Sequence, residues 1–143
     1  MDMEGTQTVF AGRFLARRLR WSVQGDAEPD FDLPSHDTNF VDHEAQKLLA
    51  DKDIVARVVS MPCVEWFESQ PEDYRDSVLP PSVSARVAVE AGVAQCWHKL
   101  VGDTGEIVSI EHYGESADAK TLFREFGFTP EAVVDAAERT LDN

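Results

Sequence analysis

The sequence has few of the residues that build disulfide-linked or metal-held folds. Only two cysteines, Cys63 and Cys96, occur among 143 residues. They stand far apart in the chain, with no CxxC pair and no histidine-rich partner motif, which argues against a thiolate zinc site. We therefore expect two reduced thiols and a cytoplasmic protein, because disulfides persist mainly in oxidising compartments.

The sequence is also short of positive charge and of long apolar runs. Thirteen Lys and Arg residues stand against 27 Asp and Glu, so the formal net charge is −14. That balance argues against nucleic acid, whose phosphates are bound by cations, and against an anionic membrane surface. No apolar run approaches the roughly 20 residues that cross a bilayer, and no secretory signal is present. We expect no nucleic-acid partner and no membrane partner.

What remains is the composition of an ordinary globular domain. With 43% hydrophobic and 28% charged residues, 143 residues suffice for one domain with its own core. An apolar run rich in β-branched residues at 54–61 predicts a central strand buried on both faces of a sheet. Pro62 then ends the strand and opens a helix, because proline lacks an N–H group but suits the first helical turn.

Strands and helices are predicted to alternate along the rest of the chain. Ser116 is the predicted cap of a helix that Gly127 closes, and Thr129 the cap of the last helix. This alternation predicts an α/β sandwich with helices on both faces of the sheet. The other predicted elements are helices at 44–50, 93–99 and 117–126, strands at 86–91 and 106–112, and a long loop at 70–84 pinned by Tyr74 and residues 78–79.

Residues 8–23 interleave apolar side chains with four arginines. On a helix, Phe10 and Phe14 lie four residues apart, so the pattern indicates a basic amphipathic helix, although Gly12 weakens it. Three uses of such a helix stay open. It can pack on its own domain, dock on a membrane or in a partner's groove, or act as a transit signal.

Residues 24–43 are acidic and broken by Pro29 and Pro34. This composition predicts a solvated loop. Calcium binding is the alternative, because calcium accepts carboxylate oxygens from flexible loops, but the spacing, glycine and terminal glutamate of an EF-hand are lacking.

Five stretches, taken in order, resemble a known family. The chain resembles the C-terminal domain of bacterial, actinobacterial-type transketolases from about residue 44 to its end. We therefore expect a divergent extension at 1–43, with the basic segment 8–23 and the acidic loop 24–43, followed by a transketolase C-terminal-like domain at 44–143. The five stretches read RVVSMPCVEWF at 57–67, SVLPPSV at 77–83, RVAVEAG at 86–92, IVSIEHYG at 107–114 and LFREFGFT at 122–129.

The resemblance implies a three-layer α/β/α sandwich with a small mixed, mostly parallel sheet that includes one antiparallel strand. In the family, an apolar strand precedes the helix that matches residues 44–50. Asp32 and Pro34 stand in its place here, and both are poor residues for an interior strand. The first family strand is therefore expected to be absent or badly degraded, with residues 8–23 as the candidate replacement.

The resemblance also implies a function. Transketolases transfer a two-carbon ketol unit between sugar phosphates in the pentose phosphate pathway, using thiamine diphosphate and a divalent metal. The Gly-Asp-Gly run that leads to their metal-binding Asn belongs to preceding domains and does not occur in this chain. We expect no catalytic, cofactor-binding or metal-binding residue here. The chain is then a non-catalytic domain or split subunit, whose partner carries the thiamine-diphosphate-binding domains or is a second copy.

Candidate ligand or partner-facing residues lie where the predicted strands end, because open α/β sheets bind ligands beyond those ends. They are Cys63, His112, Tyr113, Gly114 and Ser116. As an alternative function, residues 114–116 would hold a small anion such as a sugar phosphate on backbone N–H groups. A plain capped turn explains the same residues, and Glu115 repels an anion.

A third hypothesis is a small enzyme with Cys63 as nucleophile. Its position at a helix N-terminus favours the thiolate, and His112 or His98 would be the base. The simpler interpretation is a buried small thiol and a histidine that helps to satisfy a strand end, since no orienting residue or oxyanion loop is evident. Glu65, Glu90 and Glu111 are acid–base candidates that equally suit structural roles.

Overall fold

The computed structural model describes residues 7–12 and 38–142 of the chain. In these residues, strands and helices alternate, with one 3-10 turn at Ala94–Cys96. The strands are β1 (Gln7–Gly12), β2 (Val55–Ser60), β3 (Arg86–Val89) and β4 (Glu106–Val108). The helices are α1 (Thr38–Ala50), α2 (Val64–Glu68), α3 (Glu72–Val78), α4 (His98–Val101), α5 (Ala119–Glu125) and α6 (Pro130–Leu141).

The described strands form one sheet in the order β2-β1-β3-β4, and every neighbouring pair is parallel. Phe10 of β1 pairs with Val58 on one side and with Val87 on the other. In this part of the sheet, β2 and β3 are therefore joined only through β1. The α/β class is confirmed, but the antiparallel strand that the resemblance implied is not among these four strands.

Helices cover both faces of the sheet, so the predicted three layers are confirmed. On one face, Val87 and Val89 of β3 pack with α1, α6 and Phe128. On the other face, Ala88 packs with the completely buried Trp97 and with residues around α2, α3 and α4. The first cluster consists of Val41, Ala45, Leu49, Val87, Val89, Phe128, Val133, Val134, Ala136 and Ala137, and the second of Met61, Leu79, Ala88, Trp97, Leu100 and Val101.

The strand predicted at residues 54–61 is confirmed as β2, but its predicted central position is wrong. Among the described strands β2 pairs only with β1, and Val55 is 57% exposed. The strand that is buried on both faces is β3, where Val87, Ala88 and Val89 are fully buried. Both runs are short and β-branched, so their composition does not show which one lies inside the sheet.

The N-terminal segment departs from its predicted helix. Residues 8–12 belong to β1, so the helix prediction is wrong there. Thr8, Val9 and Phe10 are residue types that favour strands, and Gly12 disfavours a helix. In the described sheet, β1 lies between β2 and β3. Residues 13–23, which include the four arginines, lie outside the described residues.

Helix α1 begins at Thr38, six residues before the predicted start. The loop prediction is therefore wrong for residues 38–43. Val41, Ala45 and Leu49 recur every four residues and are all buried, so a helical apolar stripe extends into the acidic stretch. Residues 24–37, on which the calcium alternative depends, lie outside the described residues.

The long loop predicted at 70–84 contains helix α3. Pro71 precedes it and Glu72 and Asp73 occupy its first turn, where the helix dipole favours acidic residues. The predicted anchoring of this segment is confirmed at Leu79, which is buried, whereas Tyr74 is 52% exposed. The rings of Tyr74 and Phe67 lie 6.5 Å apart.

The end of the chain follows its predicted pattern. Gly127 has φ +77 after α5, a conformation that glycine adopts at low cost. Thr129 caps α6, because its Oγ1 accepts a hydrogen bond of 3.2 Å from the Ala132 N–H. Pro130 is the first residue of that helix.

Candidate functional site

Three loops lie along the carboxyl edge of the sheet, where the parallel strands end. They follow β2, β3 and β4 and hold all the site residues predicted from the sequence. The chain runs from β1 to β2 on one side of β1 and then crosses over to β3 on the other side of β1. The direction of winding therefore reverses between β1 and β3. Such a reversal opens a crevice that commonly binds ligands.

Cys63 caps the short helix α2 through its extended backbone and is half-buried. Its Sγ lies 3.5 Å from Oε2 of Glu65. The structure thus pairs the thiol with a carboxylate and does not join it to His112 or His98 by a hydrogen bond.

His112 is held by its own loop. Its Nδ1 lies 2.8 Å from the backbone oxygen of Tyr113, so the proton sits on Nδ1 in this contact because a carbonyl only accepts. Its ring meets Phe126 edge-on, with centroids 4.6 Å apart. These two contacts fix the backbone that presents Tyr113, whose side chain is 96% exposed.

Gly114 and Ser116 lie in the fully exposed stretch that follows. Ser116 is not the cap of α5, so that prediction is wrong. The cap is Asp118, whose Oδ1 accepts a hydrogen bond of 3.1 Å from the Thr121 N–H. Asp118 lies three residues before Thr121, where a capping oxygen reaches that N–H group. Its carboxylate occupies the position that the anion-binding alternative would give to a phosphate.

Two glutamates lie in the loops after β3 and β4, and one of them, Glu111, joins the two loops. Oε1 of Glu111 accepts hydrogen bonds of 2.7 Å from both the Ser109 hydroxyl and the Ala94 N–H. The Ser109 bond first, and then the Ala94 bond, lowers the pKa of Glu111 below its usual value. Glu90 is buried, and its Oε2 accepts a bond of 3.0 Å from Nε1 of Trp97. Each carboxylate thus accepts hydrogen bonds from within the fold, which suits a structural role.

Sequence reasoning missed a groove of about 420 Å³ near the opposite edge of the sheet. Its wall includes Arg86, which lies in the valine-rich strand β3. The Arg86 guanidinium donates to the carbonyl oxygens of Val83, Leu100, Leu79 and Pro80, at distances of 2.8 to 3.3 Å. Burial lowers the pKa of Arg86. The only signal for it in the sequence was an arginine at the start of an apolar run.

Other charges along this groove are mixed in sign. Arg75 and Lys99 face it together with Asp76 and Asp103. Lys99 pairs with Glu68 at 2.6 Å. With Arg86, the lining has three cationic and two acidic side chains, so no strong charge of one sign selects a class of ligand.

Within the described residues, no group of three or more His, Cys, Asp or Glu side chains is placed to hold a metal ion. The helices in that part of the chain are also too short or too polar to cross a membrane.

Comparison with known proteins identifies the fold. The family model for the transketolase-like TK C-terminal domain matches residues 41–129. Among solved structures, transketolase from Leishmania mexicana covers 97% of this chain with a TM-score of 0.69 and 29% identity. A Pichia stipitis transketolase covers 99% with a TM-score of 0.71 and 25% identity. In both cases the match takes up 17% of the solved chain.

Curated relatives are much more similar in sequence. Transketolase from Mycobacterium leprae is 89% identical over 99 residues, and that from Mycobacterium tuberculosis strain H37Rv is 84% identical over 99 residues. The match covers 69% of this chain but only 14% of each relative. This chain therefore spans about a seventh of the length of the relatives it matches. By sequence and by fold, it belongs to the transketolase C-terminal domain family.

Proposed function

We propose that this chain is a non-catalytic C-terminal domain subunit that assembles with thiamine-diphosphate-binding domains for ketol transfer between sugar phosphates. The observation that supports this proposal most is that the match covers 69% of this chain but only 14% of each relative. Identity of 84% to 89% extends over 99 residues, yet these are 14% of each mycobacterial transketolase. We assign the coenzyme-binding parts of the enzyme to the domains that this chain does not match.

The described residues do not suit the coenzyme. A diphosphate and its divalent metal need an enclosed site with cations or convergent metal ligands. The carboxyl edge instead offers the carboxylates of Glu90, Glu111 and Glu115, and residues 111–120 are all exposed. Like charges at this edge repel a diphosphate, so we assign coenzyme and metal to the partner.

Sugar phosphates are the proposed substrates of the assembly. A Pichia stipitis transketolase variant that is 25% identical, with a TM-score of 0.71, was solved in complex with fructose 6-phosphate. An independent sugar-phosphate site on this chain receives no comparable support, because Asp118 occupies the N-terminus of α5. Both cysteines are free thiols, which suits the reducing cytoplasm that we propose as the compartment.

The test measures coenzyme binding and assembly in two separate experiments. The probe is the Mycobacterium tuberculosis relative shortened by the 99-residue segment that this chain matches. Calorimetric titration of thiamine diphosphate with Mg²⁺ should show no saturable binding by the chain alone. Size-exclusion chromatography should show the chain eluting together with the shortened relative. Saturable coenzyme binding by the chain alone, or separate elution from a probe that itself binds the coenzyme, would contradict the proposal.

A further inference from the structure

The described sheet has two outer strands, β2 and β4. An outer strand leaves backbone N–H and C=O groups without a strand partner on one side, and these groups can pair with a strand of another molecule. Strand β4 has only three residues and begins with Glu106, whose carboxylate pairs with Arg139 at 3.1 Å. A short strand that carries a charge is a poor template for such pairing.

Strand β2 lacks these two protections. Its six residues, Val55–Ser60, include no lysine and no proline, and Val55 is 57% exposed. Arg57 is its charged residue, and it donates from Nη1 to the Ser77 oxygen on α3 at 3.2 Å. By length and composition, β2 is therefore the outer strand of the described sheet that is more suited to pair with another chain.

Helix α1 occupies backbone groups of this strand. The Gln46 side chain donates from Nε2 to the Ala56 oxygen at 2.7 Å. Just before the strand, the Ile54 N–H donates to the Leu49 oxygen at 2.9 Å. Backbone groups along a strand alternate in direction from one residue to the next, so those of Ile54 and Ala56 point the same way. Since both contacts go to α1, they lie on the side of β2 that faces away from β1.

We propose that Gln46 closes this outer side of β2 against strand addition by a second copy of the chain, a property separate from the proposed function. Strand addition depends on main-chain hydrogen bonds between the two strands. While the Gln46 amide holds the Ala56 oxygen, an incoming strand must break that bond before it can use the acceptor.

A second copy is the occupant that the outer side of β2 fits best. Two copies related by a two-fold axis present the same strand to each other in antiparallel directions, so that each supplies donors to the acceptors of the other. The half-buried and exposed residues of β2 are the same in both copies. The net charge of −14 opposes this approach at long range, whereas Gln46 acts at the contact itself.

The experiment measures self-association of the full chain by sedimentation velocity over a series of concentrations. High salt screens the repulsion between copies. Gln46→Met keeps an unbranched side chain of similar length but removes the amide donor. It should strengthen self-association about tenfold, the factor that one hydrogen bond contributes. Gln46→Ala should act in the same direction, and circular dichroism with thermal unfolding confirms that both variants are folded at the assay temperature.

Gln70 offers a matched control. Its Nε2 donates to the Trp66 oxygen at 3.0 Å, so it makes the same kind of contact, but to the backbone of helix α2. Gln70→Met should leave self-association as it is in the unsubstituted chain.

A second substitution separates pairing at β2 from a general loss of stability. Val55→Lys, added to Gln46→Met, places a lysine on the outer strand, where it disfavours pairing. It should return self-association to that of the unsubstituted chain, although the added positive charge lowers the net repulsion between copies. A variant that associated only because it was less stable would not be reversed in this way.

Self-association of folded Gln46→Met and Gln46→Ala that stays unchanged over the whole concentration series would overturn the inference. An equal increase in Gln70→Met, or an increase that Val55→Lys does not reverse, would overturn it as well. None of these results bears on the proposed function, which is tested with a different polypeptide.

Discussion

At the scale of single residues, Glu111 fixes the geometry of the carboxyl edge. One oxygen of its carboxylate accepts hydrogen bonds from Ser109 and Ala94, and so joins the loop after β4 to the loop after β3. Sequence alone suggested Glu111 as an acid–base candidate, because glutamate at a strand end suits both roles. Only the arrangement of the two loops in space shows that Glu111 accepts hydrogen bonds from a hydroxyl and a backbone N–H group.

The lowered pKa of Glu111 predicts a pH-dependent stability. Its folded-state pKa lies below the usual value of 4.5, so its stabilising contribution is present above that value and is lost as pH falls through the folded pKa. Glu111→Gln should therefore be less stable than the unsubstituted chain at pH 7. The difference should shrink at pH 3, as measured by urea unfolding.

Ser109→Ala is the companion variant, since the Ser109 hydroxyl is the largest cause of the shift. By NMR titration, it should move the pKa of Glu111 upward. A stability difference between Glu111→Gln and the unsubstituted chain that is the same at both pH values would contradict this role.

Gly105 predicts a second effect at this scale. A Cβ there would lie 2.5 Å from the Val101 backbone oxygen and 2.9 Å from that of Arg86. Neither backbone atom can move without disturbing α4 or β3, so Gly105→Ala should cost about 1–3 kcal/mol of unfolding free energy. Urea denaturation measures it.

Gly114→Ala is the matched control, because a Cβ at that position meets no atom within 4 Å. It should change stability by less than about 0.5 kcal/mol. Equal effects of the two glycine substitutions would show that the chain does not approach Gly105 as closely as described.

At the scale of secondary structure elements, Arg86 connects the segments on one face of the sheet. It lies on β3 and donates to carbonyl oxygens at the end of α3, in the following loop and in α4. Several backbone acceptors thus depend on one guanidinium. Lysine has the charge but lacks the planar fork that reaches several acceptors.

Arg86→Lys should therefore destabilise the fold by about 2 kcal/mol, the scale of a lost hydrogen bond to a charged group. Arg124→Lys is the control, because Arg124 is exposed and its 3.0 Å ion pair with Glu125 is a surface contact. Such pairs contribute about 0–1 kcal/mol. Chemical denaturation of both variants checks the difference, and similar losses would contradict the connecting role of Arg86.

Helix α5 allows a direct test of its cap. Asp118→Ala should cost about 0.5–2 kcal/mol, because the Thr121 N–H loses its acceptor. Ser116→Ala should be nearly neutral. Thermal unfolding that ranked the two variants in the opposite order would restore Ser116 as the cap.

The sequence was most informative where a local rule acts alone. Thr129 and Pro130 begin α6 as predicted, because capping and proline geometry depend only on neighbouring residues. Helix α3 was missed because prolines at 71, 80 and 81 gave the segment the composition of a loop. Tyr113 was expected to face a ligand or a partner because it follows a predicted strand, and it is 96% exposed.

Sheet order is the feature that sequence pattern could not supply. The apolar runs of β2 and β3 are alike in composition, and their places depend on β1, which lies between them. A strand from residues 7–12 reaches that position over a long separation in sequence. Local propensity carries no information about such pairing.

At the scale of the whole molecule, the chain has the core of an independent domain, and we propose that its surface binds a partner. Two apolar clusters, one on each face of the sheet, supply the core. The acidic composition, with a net charge of −14, fits a partner with complementary basic groups. In our account, the catalytic chemistry belongs to that partner.

The most direct test of the proposed function is a ketol-transfer assay with the shortened Mycobacterium tuberculosis relative, thiamine diphosphate and Mg²⁺. We predict that adding the chain raises the rate until it saturates, and that the chain alone gives no ketol transfer. A rate that stays flat while the two polypeptides form a complex, or turnover by the chain alone, would contradict the account.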